Sequence, residues 1–178
     1  GTYTWNIPDT LSTAYGKIRI SSSSNINIAS ISDGYFKVGN IKINTPNGGE
    51  KLVGNGNYTV TWTSTSSVSY LRMQYSLDGG ITFINVPNAS YYPANAGTFT
   101  WQVPNILTNN VLFRISDSDG PVIYDVSDNT FSIAQLGLTY PNGGEGFIPG
   151  APVTITWNST NITSINLDYQ VNNGVWNN

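Results

Sequence analysis

Residues 46–50 read Pro-Asn-Gly-Gly-Glu, and residues 141–145 read Pro-Asn-Gly-Gly-Glu again, about 95 residues further along the chain. The neighbourhood repeats as well, because Tyr-Thr-Val-Thr-Trp at 58–62 returns as Val-Thr-Ile-Thr-Trp at 153–157. Self-similarity at a fixed period is the sequence mark of a tandem repeat. The period, rather than any local motif, therefore sets the expected domain organisation.

A third, partial copy of the same unit opens the chain. Thr-Tyr-Thr-Trp at 2–5 matches Thr-Phe-Thr-Trp at 98–101, and Lys-Ile-Arg-Ile at 17–20 matches Leu-Phe-Arg-Ile at 112–115. The matches predict three segments: the C-terminal half of one repeat in residues 1–39, a complete repeat in 40–135, and the N-terminal half of the next in 136–178.

Apolar and polar residues alternate strictly along the complete copy. Tyr58, Val60 and Trp62 fall on one side of an extended segment while threonines fall on the other, and helical spacing is absent. Clusters of Asn, Gly, Asp and Pro separate the runs. The pattern predicts about seven or eight short strands in each repeat, hence an all-β chain of tandem antiparallel sandwiches of the immunoglobulin or fibronectin type III kind. Trp62, Trp101 and Trp157 are the predicted core anchors.

Composition narrows the functional classes. Charged residues make up 10% of the chain and the net charge is −3, so the chain lacks the basic field that nucleic-acid binding needs. No apolar run approaches the roughly 18 residues of a transmembrane helix, and no signal peptide stands at Gly1. We expect no membrane insertion, and a mature or excised fragment.

Catalysis is not expected of this chain. The sequence has no His and no Cys, which excludes Ser-His-Asp and Cys-His nucleophile systems and the usual zinc sites. Its few carboxylates occur mostly in turn-like stretches, without the recurring pair that glycoside hydrolysis needs. We therefore predict a non-enzyme that has no cofactor.

Several residues are predicted to shape turns. The stretch 75–83 resembles the Asp-box hairpin of sialidase propellers, and we interpret it as a turn in which Asp78 accepts backbone N–H groups and Gly80 takes a positive φ. Glu50 and Glu145 are expected to hold the signature turn, and Asp128 to cap a turn before the last strand. The glycines and prolines assigned to the signature turn are Pro46, Gly48, Gly49, Pro141, Gly143 and Gly144.

Two binding hypotheses stay open. Asp117 and Asp119 supply oxygen ligands of the type that calcium takes, although the first copy has Ser22 and Ser24 in their places. Tyr91 and Tyr92 lie in a loop and are candidates for stacking on a sugar ring or a partner; packing over the sandwich edge is the alternative.

Together, the Pro-Asn-Gly-Gly-Glu turn, the Thr-x-Thr-Trp strand and the closing Ser-Asp-x-x-Phe-x-Ile strand at 127–133 resemble the Ser/Thr-rich cell-wall-type β-sandwich repeats. Such repeats occur in large secreted surface proteins of Bacteroidetes, including gliding-motility adhesins. The resemblance implies an extracellular, cell-surface location and a non-catalytic role as adhesin stalk or filament, with neighbouring repeats as partners. The alternative is a carbohydrate-binding accessory module of an extracellular hydrolase, which would bind surface glycans.

The two half-repeats lead to one more expectation. The front half at 136–178 and the back half at 1–39 would together make one sandwich if two chains met head to tail, covering strand edges that otherwise invite pairing. Flanking sequence that completes each half is the alternative.

Overall fold

The computed structural model describes all 178 residues, and its regular elements are β-strands apart from one 3₁₀ turn at Ala94–Ala96. The strands are β1 (Thr13–Gly16), β2 (Arg19–Ser21), β3 (Ala29–Ile31), β4 (Phe36–Val38), β5 (Ile41–Thr45), β6 (Lys51–Val53), β7 (Asn57–Ser64), β8 (Tyr70–Ser76), β9 (Ile84–Asn85), β10 (Tyr92–Pro93), β11 (Thr98–Gln102), β12 (Thr108–Asp117), β13 (Tyr124–Val126), β14 (Phe131–Tyr140), β15 (Thr156–Thr160), β16 (Tyr169–Gln170) and β17 (Trp176–Asn177). The predicted all-β class is confirmed. None of the structure's helices combines the length and apolarity that crossing a membrane requires.

Residues 40–135 form a β-sandwich, called here the central sandwich. One sheet has the order β11-β7-β5, and the other runs β10-β8-β12-β14, with β9 on β8, β13 on β12 and β6 parallel to β14. The strands number more than the seven or eight expected, because β6, β9, β10 and β13 are short pieces of only two or three residues. Turns rich in Gly, Asn and Pro interrupt the chain between them.

The hydrophobic core lies entirely between Ile41 and Ile133. Trp101 sits at its centre, with its ring edge-on to Phe113 and Phe131 at centroid distances of 5.2 and 6.3 Å. Burying large aromatic side chains is the main favourable term in a sandwich of this size. The central sandwich therefore has a core of its own.

The sequence predicts Trp157 as a core residue, but its side chain is exposed in the structure. Its counterpart Trp62 is buried, donates its indole N–H to the Ala94 carbonyl at 2.8 Å, and packs edge-on against Tyr92. The segment after Trp157 contains no second half of a sandwich to supply such neighbours. The same strand pattern is thus buried around Trp62 and exposed to solvent around Trp157.

The signature turn is held by its own glutamate. The Glu50 carboxylate accepts the N–H groups of Asn47 and Gly48 at 2.7 and 2.8 Å. Gly48 has φ +130°, and a Cβ there would lie 2.6 Å from the Asn129 side chain, so only glycine fits. Asp128 contacts this turn from outside, accepting from the Asn47 amide at 2.7 Å.

The second copy of the turn repeats this geometry. Glu145 accepts the N–H groups of Asn142 and Gly143 at 2.8 and 2.7 Å. These backbone hydrogen bonds lower the pKa of Glu145 below its usual value. Because the arrangement forms even where the turn is exposed, it is determined locally.

The segments on either side of the central sandwich reproduce parts of its strand pairing. In the first, called the N-flank (residues 1–39), Arg19 of β2 pairs with Ile31 of β3, as Arg114 of β12 pairs with Val126 of β13. Each member of the second pair lies one repeat period after its counterpart. The N-flank therefore carries the hairpin of a C-terminal half-repeat.

The other segment, called the C-flank (residues 136–178), also repeats strand pairs of the central sandwich one period later. Leu136 of β14 pairs with Ser159 of β15, as Ile41 of β5 pairs with Ser64 of β7. Within each flank the local pairs have formed, whereas no strand of one flank pairs with a strand of the other.

Candidate functional site

An aromatic pair, in which Tyr91 is exposed and Tyr70 is half-buried, stands at one end of the central sandwich. The ring of Tyr91 stacks on that of Tyr70, with centroids 3.9 Å apart and planes 18° from parallel. Beside it opens a groove of about 620 Å³ whose lining is mostly hydroxyl and amide side chains: Ser64, Thr65, Ser66, Val68, Ser69, Tyr70, Pro93 and Asn95. Stacked rings next to hydroxyl and amide groups provide both the apolar platform and the hydrogen-bonding partners that a sugar ring uses.

The structure separates the two tyrosines that the sequence places side by side. Tyr92 belongs to β10, pairs with Leu71, and packs edge-on against Phe99 at 5.1 Å. Tyr91 precedes the strand and points outward. Because neighbouring residues of an extended chain face opposite ways, Tyr92 is a packing residue and Tyr91 alone is available to a ligand.

The surroundings of Tyr91 disfavour the loss of its hydroxyl proton. Partial desolvation raises the pKa of Tyr91 above its usual value, and the Asp119 carboxylate raises it further, against a smaller opposing effect of Lys37. The phenol is a hydrogen-bond donor across the physiological pH range, as an ordinary tyrosine also is.

The two carboxylates that are candidate calcium ligands, Asp117 and Asp119, both form ion pairs with a lysine. Lys37 Nζ lies 2.7 Å from Asp117 Oδ2 and 3.2 Å from Asp119 Oδ2, and the Asp117 side chain is almost fully buried. The Asp119 N–H donates to Asp117 Oδ1 at 3.1 Å. No cluster of three or more acidic side chains is arranged to hold a metal ion. Lys37 comes from the N-flank, so this ion pair also joins that flank to the central sandwich.

The sequence alone did not indicate Lys37. The lysine and Asp117 are 80 residues apart, and nothing in their local patterns relates them. The one available signal was the substitution of Ser22 and Ser24 for the two acids in the first copy. With serine at both positions, the first copy has neither of the two carboxylates that pair with Lys37 in the complete copy.

Asp78 accepts hydrogen bonds from residues of its own hairpin. Its carboxylate accepts the Ser76 hydroxyl at 2.6 Å, the Thr82 N–H at 2.9 Å and the Thr82 hydroxyl at 2.6 Å. Gly80 has φ +94°, and the ring of Phe83 lies 3.9 Å from the Arg114 guanidinium carbon. The arrangement closes a turn through hydrogen bonds to both carboxylate oxygens.

The hairpin predicts an acid-dependent loss of stability. Hydrogen bonds from Ser76 and Thr82 lower the pKa of Asp78 from 3.8 to about 2. The pKa of Asp78 is lower in the folded state than in the unfolded state. The ionised Asp78 carboxylate therefore stabilises the fold fully above pH 3.8, and this stabilisation is lost as the pH falls towards 2. In urea titrations at several pH values, the wild type should exceed Asp78→Asn in stability near neutrality and match it near pH 2. The exposed Asp9→Asn is the control, and an Asp78→Asn difference that stays constant with pH would contradict the assignment.

Comparison with known proteins adds no relative. A scan against protein-family models, a search of curated proteins and a search of solved structures found no match to this chain. The features of this chain that bear on function are the Tyr70–Tyr91 pair, the adjacent groove, the Lys37 ion pair and the exposed flanks.

Proposed function

We propose that this chain is a non-catalytic repeat region of a secreted cell-surface protein, where it serves as an adhesin stalk or filament and mediates adhesion or self-association. The observation that carries the proposal is the continuity of β14. This strand of ten residues pairs with β12 through Phe131 and Ile133 and with β15 from Gln135 to Tyr140. One strand therefore belongs to the central sandwich and to the unit that follows it.

A shared strand makes a stiff joint. A flexible linker needs residues without regular hydrogen bonds, whereas β14 passes from one unit to the next while both parts remain paired. At the opposite junction, the Lys37 ion pair and a 3.0 Å hydrogen bond from Ser12 to Ser67 tie the N-flank to the sandwich. Stiff joints between units suit a stalk that holds a binding surface away from the cell.

The resemblance to cell-wall-type β-sandwich repeats supports the same function. The motifs that carry the resemblance are the signature turn and the Trp-bearing strands, which recur at a fixed period. Tandem sandwiches of the immunoglobulin or fibronectin type III kind, strung end to end and contacting mainly their neighbours, fit this pattern.

Small-angle X-ray scattering tests the stiff joint. The wild-type chain is expected to scatter as one rigid particle, whereas insertion of Gly-Ser-Gly-Ser between Gln135 and Leu136 should produce the signature of two bodies moving independently. The same insertion after Gly150, an exposed turn residue with open space around it, is the control and should leave the profile rigid. A wild-type profile that already shows independent bodies would refute the stalk proposal.

A second candidate function, carbohydrate binding, is favoured by the Tyr70–Tyr91 pair beside its polar groove. If the chain is such a module, a glycan array should show saturable binding that Tyr91→Ala weakens by about 2- to 13-fold, since stacking on an aromatic ring contributes about 0.5–1.5 kcal/mol beyond the buried area. Tyr124→Ala, which removes another exposed tyrosine, should have no effect. Absence of saturable binding to any glycan would exclude this candidate and leave the stalk proposal untouched.

A further inference from the structure

A small polar pocket lies on the outer face of the β8–β12–β13 sheet. Its volume is about 260 Å³, and its lining is mostly charged, amide and hydroxyl side chains: Arg72, Gln74, Arg114, Ser116, Pro121 and Tyr124. Because side chains alternate across a strand, Arg72 and Gln74 face away from the core that Leu71 and Met73 occupy. Every lining residue belongs to the central sandwich, so the pocket is complete within one repeat.

The two arginines of the pocket have no carboxylate partner. The ion pairs of the chain are those of Lys37 with Asp117 and Asp119, and neither arginine takes part in them. Arg19 is the only other arginine of a chain whose net charge is −3. Two uncompensated guanidinium groups in one concave site create a local positive potential that attracts an anion.

The Arg114 guanidinium is held in position by its neighbours. Its Nε and Nη2 both donate to Gln74 Oε1, at 3.0 and 2.5 Å, and its Cζ lies 3.9 Å from the centre of the Phe83 ring. Gln74 is fixed in turn, because its Nε2 donates to Asn85 Oδ1 at 2.9 Å. Two of the five N–H groups of Arg114 are used in this way, and three are left for a ligand.

Ser116 is a buried residue whose hydroxyl lacks a partner within the chain. The residue is 4% exposed, and its side chain forms no hydrogen bond with another residue although it lines the pocket. Its position is fixed on both sides, since it pairs with Arg72 on β8 and with Tyr124 on β13. Because a buried polar group without a hydrogen bond is costly, this hydroxyl indicates that a polar ligand binds here.

The strand register brings both guanidinium groups close to this hydroxyl. Arg72 lies directly opposite Ser116, and Arg114 precedes Ser116 by two residues on the same face of β12. The two arginines are diagonal neighbours roughly 7 Å apart, a distance that long side chains can bridge. The nearby Asp125 is turned to the other sheet, where it accepts the Ile43 N–H at 2.7 Å. The donors therefore converge without an acid among them.

The repeat shows that these residues are not needed for the fold. Leu-Arg-Met-Gln-Tyr at 71–75 corresponds to Ile-Asn-Leu-Asp-Tyr at 165–169 in the next copy. Asn166 thus replaces Arg72, and Asp168 replaces the Gln74 that holds Arg114, while the apolar positions between them stay apolar. Residues that vary while the core positions are kept favour a binding role over a structural one.

We propose that this pocket binds an oxyanion of the carboxylate or sulfate type. A guanidinium offers two parallel N–H donors that match two oxygens of such a group, and the Ser116 hydroxyl donates to a further lone pair. The pocket is slightly smaller than a typical ligand site, so it takes a single ion or one charged group of a larger molecule. A free ion and a charged sugar both provide this chemistry.

Isothermal titration calorimetry of the 178-residue chain with sodium glucuronate, sodium sulfate and glucose tests the proposal. Glucuronate, sulfate or both should bind saturably and more weakly as the NaCl concentration rises, whereas uncharged glucose should not bind. Arg72→Gln should weaken the binding about tenfold, as expected for the loss of charge-assisted hydrogen bonds. Tighter binding of glucuronate indicates a sugar-borne group, and tighter binding of sulfate indicates a free ion.

Two further variants separate a binding role from a structural one. Arg19→Gln is the matched control, because it removes the same charge from the N-flank and should leave the affinity unchanged. Ser116→Ala should weaken binding about threefold or more, yet it should leave urea unfolding nearly unchanged because the hydroxyl has no partner in the protein to lose.

Two results would overturn the proposal. One is the absence of saturable binding by both glucuronate and sulfate. The other is an equal loss in Arg72→Gln and Arg19→Gln, which would mean that the anions respond only to net charge. Tyr91→Ala should have no effect, which distinguishes this pocket from the groove beside Tyr70. Oxyanion binding is measured within one repeat, so its outcome is independent of the stiffness of the β14 joint.

Discussion

Replacing Trp101 with alanine is expected to lower the free energy of unfolding of the central sandwich by about 3–5 kcal/mol. The side chain is 1% exposed and packs against Tyr75, Phe113 and Phe131. Its removal loses the transfer free energy of the indole and leaves a cavity between the two sheets. A small domain is stable by only about 5–15 kcal/mol, so the loss is a large share of the total. Urea unfolding followed by circular dichroism measures it.

The repeat provides a matched control for this substitution. Trp5→Ala removes the same side chain from the corresponding position in the N-flank, where it is half exposed, and should change the unfolding of the central sandwich by less than about 0.5 kcal/mol. Equal losses in the two variants would mean that the core is not confined to the central sandwich. Trp101→Phe should cost less than Trp101→Ala because the phenyl ring refills part of the cavity, while both substitutions remove the indole N–H that has no partner.

Replacing Lys37 with methionine is the second large change, with an expected loss of about 3 kcal/mol. The lysine lies in the N-flank, but the carboxylate that it neutralises, Asp117, is buried within the central sandwich. Removing one partner of such a pair leaves an uncompensated charge away from water, and this desolvation cost is larger than the net stabilisation by the pair itself. Thermal or urea unfolding should therefore show a destabilised central sandwich although the substitution lies outside it.

Lys42→Met is the control for this prediction. Lys42 is exposed on β5 and forms no ion pair, so its replacement should be nearly neutral. A similar loss in both variants would show that net charge, rather than the Asp117 contact, is responsible. Asp119→Asn should also cost little, since that carboxylate is exposed and only the second partner of the lysine.

The ion pair has a defined pH dependence. The hydrogen bond from Lys37 to Asp117 raises the pKa of the lysine above 10.5, against the opposing effect of desolvation. The pKa of Lys37 is higher in the folded state than in the unfolded state. The stabilisation by the protonated lysine is therefore complete below pH 10.5 and is lost as the pH rises above that value. The stability difference between wild type and Lys37→Met should accordingly shrink at strongly alkaline pH.

Local features of this protein could be read from its residues because their causes are local. Alternation of apolar and polar side chains makes a strand such as β7 amphipathic wherever it occurs. The Glu50 turn needs only its own backbone and two glycines, and it forms again at Glu145 on an exposed surface. The Asp78 hairpin closes through residues at most four positions away.

Features that depend on distant partners could not be read in this way. Tyr91 and Tyr92 are adjacent and identical, yet only the pairing of β10 with β8 turns one outward and packs the other on Trp62. The same holds for the Asp117 and Asp119 pair, whose cation comes from another half-repeat.

The sequence by itself determined the repeat period, the all-β class and the turn chemistry, since these follow from spacing and from the conformational preferences of neighbouring residues. Only the tertiary structure decided which copies of a repeated residue are buried. Trp62 and Trp157 sit in nearly identical strands, and one is in the core while the other faces solvent. Burial requires a second layer to pack against, and in the central sandwich that layer is built from residues far away in the chain.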